Sequence, residues 1–62
     1  MGAAAQMTPV FSREELDLIV ELLERERAEL PAEIHRTRTV EVRDQLRRRL
    51  EMVNRLIERL CR

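Results

Sequence analysis

The stretch Ile34-His35-Arg36-Thr37-Arg38-Thr39-Val40-Glu41-Val42 decides the fold. Residues on either side of it follow each other in mirror-image order. Ile34 answers Val42, Leu30 answers Leu46 and Arg27 answers Arg49; further out, Leu23 answers Val53, Val20 answers Leu56 and Leu16 answers Leu60. In every pair the two residue numbers add to the same total, as two antiparallel helices folded about a short turn require. Within each arm the spacing alternates between three and four residues, the period of a helical face. The sequence therefore predicts an all-α fold, a two-helix antiparallel hairpin.

Working outward, the first arm has a clear beginning. Ser12 can cap a helix, and Glu15 three residues later completes a capping box. Phe11 and Leu16 flank the cap as a hydrophobic staple requires. Glu14, Glu15 and Asp17 suit the positive end of the helix dipole. Helix one is expected over about residues 13–36, running through Pro31, because Ile34 keeps phase with Leu16, Val20, Leu23 and Leu30. Thr37-Arg38-Thr39 forms the turn, with Thr39 as cap and Glu41 in the first turn of helix two. Helix two is expected over about residues 40–61, with Val42, Leu46, Arg49, Val53, Leu56 and Leu60 facing inward and Leu50 and Ile57 widening the stripe. On its outer face Asp44, Glu51 and Glu58 each precede an arginine by four residues (Arg48, Arg55 and Arg62), the favourable order for helical ion pairs. Residues 1–10 show no periodicity and read as a flexible N-terminal segment.

Composition bounds the rest. A chain of 62 residues holds one small domain, and a core this size ordinarily needs disulfides, a metal or a second copy to be stable. One cysteine excludes an internal disulfide, and no His and Cys cluster has zinc spacing. Self-association is the route left. The 12 basic residues, all arginine, balance 12 acidic ones, so net charge draws the chain to neither nucleic acid nor membrane. Acids dominate from Arg13 to Ile34 and arginines from His35 to Arg62, so the two arms attract. No apolar run is long enough to span a bilayer and no signal peptide is evident, which leaves the cytoplasm as the expected location.

Several residues stand out against this frame. Leu18, Ile19 and Leu22 on helix one and Met52 on helix two lie off the seam or at its edge, with Leu56 beside them, all towards the open end of the hairpin. A lone hairpin would leave this surface in water, and a second copy would cover it as a four-helix bundle. Arg27 and Arg49 occupy core-type positions opposite each other; with Glu26 as counter-charge they read as a polar core layer that fixes register. His35 has no second ligand on its face. Cys61 has neither a Cys-x-x-Cys partner nor an adjacent His. No acid, base and nucleophile set is present, so no catalytic residues, metal site, cofactor or small-molecule substrate is expected. Two other readings remain: a nucleic-acid-associated module using Arg47, Arg48, Arg55 and Arg59, against which the interleaved acids and the single aromatic argue, and a small adaptor or antidote shielding a partner protein's apolar groove.

The segment Leu30-Pro31-Ala32-Glu33-Ile34-His35-Arg36-Thr37-Arg38-Thr39, followed by Val42-Arg43 and Leu46, resembles a group of small uncharacterised bacterial helical-hairpin proteins. Their pattern is a Leu-x-x-Glu-Ile-x-x-Thr-x-Thr turn followed by a Leu- and Arg-rich helix. The resemblance covers roughly Leu16 to Leu60. This chain departs from it at Arg38, where members often carry an acid, and at Pro31, which they often lack. The resemblance implies a helical hairpin and no activity. Within this sequence Glu33 and Arg43 are placed to pair across the turn, with Thr37 and Thr39 holding its backbone.

Overall fold

The computed structural model describes residues 10–61. The N-terminal segment expected over residues 1–10 lies, except for Val10, outside the described residues, as does Arg62. Two helices make up the fold: α1, Arg13–Arg36, and α2, Val40–Leu60, packed against each other as a hairpin. Among the described residues there is no strand.

The start of α1 follows from its first four residues. The Glu15 amide donates to Ser12 Oγ at 3.0 Å, and the Ser12 amide donates to Glu15 Oε1 at 2.8 Å. Two amides that the helix cannot serve internally are satisfied reciprocally. Pro31 lies inside α1. It removes one backbone donor and crowds the carbonyl of Arg27. Both residues are exposed, so water can solvate the carbonyl left without its helical partner. Immediately before the proline, Leu30 is the most buried side chain, 1% exposed; its packing holds the helix in register on the far side.

The connection Thr37-Arg38-Thr39 closes the hairpin without glycine. Thr37 and Thr39 have extended backbones (φ −78° and −80°), and no described residue has positive φ. Both the amide and the hydroxyl of Thr37 donate to the Glu33 carbonyl, at 3.0 and 2.6 Å, so this threonine ends α1 with two hydrogen bonds to one acceptor. Thr39 occupies the N-cap of α2, but its side chain makes no cap hydrogen bond.

The core is a single seam. Leu30, Val53 and Ile57 are buried, and Leu23, Leu46 and Leu50 pack partly buried against them. The molecule measures 40 × 30 × 15 Å. Its least dimension is little more than the diameter of one helix with its side chains, about 10–12 Å. It is one layer, with no second layer to cover either face.

The inward face of α2 keeps Leu46 and Val53 but is turned by about half a residue's arc from the expected one. Leu50 and Ile57 belong to the core, whereas Val42 is 42% exposed and Arg49 is exposed. Leu50 and Ile57, expected to widen the stripe, lie at its centre. On the outer face Asp44 pairs with Arg47 at 3.8 Å rather than with Arg48. Among the described residues Glu51 and Arg55 form no ion pair.

Candidate functional site

The two faces of the hairpin differ. On one, Ile19, Leu22, Leu23 and Glu26 of α1 and Arg49, Met52, Val53 and Leu56 of α2 enclose a shallow groove of about 440 Å³. Its register can be read from the ion pair between Arg49 Nε and Glu26 Oε1. From that contact, antiparallel progression places Leu22 and Leu23 level with Met52 and Val53, and Ile19 level with Leu56. The groove is therefore apolar towards the open end and closed at mid-length by a charge pair. Its floor is the outer edge of the core, Leu23 and Val53. Its walls hold side chains that the hairpin leaves in water: Leu22 is 52% and Met52 62% exposed. Leu18, one turn before Leu22 and 54% exposed, prolongs the apolar surface past the groove's edge.

The other face carries a smaller hollow of about 280 Å³ at the open end, lined by Arg13, Leu16, Asp17, Val20, Glu21, Glu24, Leu60 and Cys61. Half of its lining residues are charged, and Arg13 and Asp17, one turn apart on α1, pair at 3.5 Å along its edge. Cys61 is a free, exposed thiol. His35 is exposed near the C-terminal end of α1. Among the described residues no group of three or more His, Cys, Asp or Glu side chains gathers as a metal ion requires, and no helix is long and apolar enough to cross a membrane.

Of the five residues proposed from sequence for self-association, the groove gathers Ile19, Leu22, Met52 and Leu56, with Leu18 beside them. The expected polar core layer takes a different form. No charged side chain is buried among the described residues. Arg27 is exposed and stands apart, while Glu26 and Arg49 meet at the rim of the seam. The reason is energetic: two arginines facing each other in a core would repel and lose their hydration. The partial turn of α2 buries Ile57, covers Leu50 in part and leaves Arg49 where a carboxylate can reach it.

At the turn, Glu33 and Arg43 do not pair through their side chains. Arg43 Nη2 donates instead to the Thr37 carbonyl at 2.9 Å, and Glu33 takes part through its own carbonyl. Arg43 thus ties the first turn of α2 to the end of α1 across the connection. The arginines considered for nucleic acid, Arg47, Arg48, Arg55 and Arg59, are all exposed, but Asp44 engages Arg47.

Sequence reasoning missed that the groove ends at Glu26 and Arg49. The signal was present in the numbering: Ile19 with Leu56, Leu22 with Val53 and Glu26 with Arg49 all share one total, smaller by one than that of the mirror pairs. No family model, no curated protein and no solved structure matches this chain.

Proposed function

We propose that this chain is a non-catalytic protein-interaction module that works as a homodimeric helical bundle, its two copies joined through the groove face. One observation carries the reading: in a hairpin one layer thick, Leu18, Leu22 and Met52 lie exposed on a single face, around a groove floored by the core. Burial of apolar surface is worth about 25 cal/mol per Å². A core of three buried side chains gains much from a second layer, and two-fold pairing of one surface with itself is the commonest way to supply it. A functional site of the enzymatic kind would need an enclosed pocket with convergent acid, base and nucleophile; the groove offers an aliphatic surface and one ion pair.

Light scattering on the purified chain tests this directly. The expected mass is twice that of the 7.4 kDa chain, and Leu22→Glu, which places a charge in the groove, shifts the protein to monomer with loss of helicity. A folded native monomer at micromolar concentration would refute self-association and leave the face to a different protein.

A further inference from the structure

Granting the homodimer just proposed, we infer that its two copies stack with their turns at the same end, so that Glu26 and Arg49 of both copies close into one four-membered charge ring across the bundle.

Two hairpins that meet face to face through a two-fold axis have two choices. With the axis parallel to the helices, α1 of each copy lies on α2 of the other and both turns point the same way. With the axis across the helices, α1 lies on α1, α2 on α2, and the turns point apart.

Charge separates the two. α1 carries eight acidic residues and four arginines, and α2 four acidic residues and six arginines. The difference sharpens on the groove side. By helical position Glu26, Glu29 and Glu33 line the α1 edge there, while Gln45, Arg48, Arg49 and Arg59, with the single acid Glu41, line or flank the α2 edge. Stacking α1 on α2 sets Glu26 level with Arg49 and Glu29 close to Arg48 of the other copy. Stacking α1 on α1 sets carboxylates against carboxylates, which costs affinity and slows encounter.

The apolar surface gives the same answer by a separate route. Its main part occupies the open-end half of the face, from Leu18 to Leu22 and from Met52 to Leu56, with Val42 apart from it towards the turn. With turns together, apolar half meets apolar half and the full lengths overlap. With turns apart, the apolar halves overlap only if the hairpins slide past each other, leaving both turn halves uncovered.

The Glu26–Arg49 pair is built to be shared. Arg49 uses Nε towards Glu26 Oε1, and its two terminal nitrogens make no hydrogen bond among the described residues. Its side chain is 64% exposed and that of Glu26 33%. The guanidinium has further donors and the carboxylate a second oxygen. With turns together, each Arg49 lies level with Glu26 of the second copy, and the spare groups meet.

A nitroxide placed at Arg38→Cys in a Cys61→Ser background tests the orientation by pulsed electron resonance; both positions are exposed. Turns together place the two labels within about 30 Å, given stacked helices about 10 Å apart. Turns apart place them beyond about 45 Å, because each turn lies some sixteen residues from the centre of the apolar overlap at 1.5 Å per residue. A long distance in a dimer of the right mass overturns the orientation and leaves the homodimer standing. A monomer overturns both. Glu26→Gln tests the ring: the dimer dissociation constant rises at least about tenfold, and an unchanged constant refutes it.

Discussion

Arg49 and Leu50 are neighbours in sequence and stand about 100° apart around α2, so only one of them can face α1. The sequence pattern admits either, since Val42, Arg49 and Leu56 continue one stripe and Leu50 and Ile57 another. Packing decides, because burying a leucine is favourable and burying an arginine opposite another arginine is not. The seam positions Leu23, Leu30, Leu46 and Val53 were legible from spacing alone. Which of two adjacent stripes completed the face of α2 was not, because that depends on the partner helix. Arg27→Ala should change stability by less than about 0.5 kcal/mol, as expected of an exposed side chain that pairs with no other described residue. Leu30→Ala, at the most buried position, should cost about 2–5 kcal/mol, enough to unfold a domain this small. Urea unfolding at one fixed protein concentration compares the two. Within a single hairpin the Glu26–Arg49 coupling, from a double-mutant cycle, should fall below about 1 kcal/mol, because the arginine is largely exposed.

Each helix is held at its ends by different chemistry, and this is where element-level expectations divide. The Ser12–Glu15 box lies in four consecutive residues, so it could be read without knowledge of the fold. The turn could not, because Arg43 and Thr37 meet only once the chain has bent. Two substitutions expose the difference between a working cap and a nominal one. Ser12→Ala should lower stability by about 1 kcal/mol, whereas Thr39→Ala, whose hydroxyl makes no cap bond, should cost less than about 0.5 kcal/mol. Thermal unfolding followed by far-ultraviolet circular dichroism resolves that gap. Pro31 is the weak point of α1. Replacing it with alanine restores a donor and relieves the crowded carbonyl of Arg27, so Pro31→Ala should raise the melting temperature, with a gain of up to about 3 kcal/mol.

At the scale of the whole molecule, mirror-image order across the Thr37-Arg38-Thr39 connection was enough to give the hairpin, because antiparallel pairing about a short link leaves one topology. The groove face was legible only as a set of apolar residues left over from the seam; that they surround a hollow closed by a charge pair required the register. If two copies share that face, the melting temperature should climb as total protein concentration rises, by mass action. Differential scanning calorimetry over a hundredfold dilution series measures this, and a constant midpoint contradicts pairing. The 15 Å thickness of the hairpin has a further consequence for how its backbone exchanges with heavy water. In so thin a slab no amide is shielded by depth, so deuterium uptake reports the breaking of hydrogen bonds alone. If two copies share the groove face, protection in both helices should fall on dilution, with the ends exchanging fastest and the seam around Leu30, Val53 and Ile57 slowest.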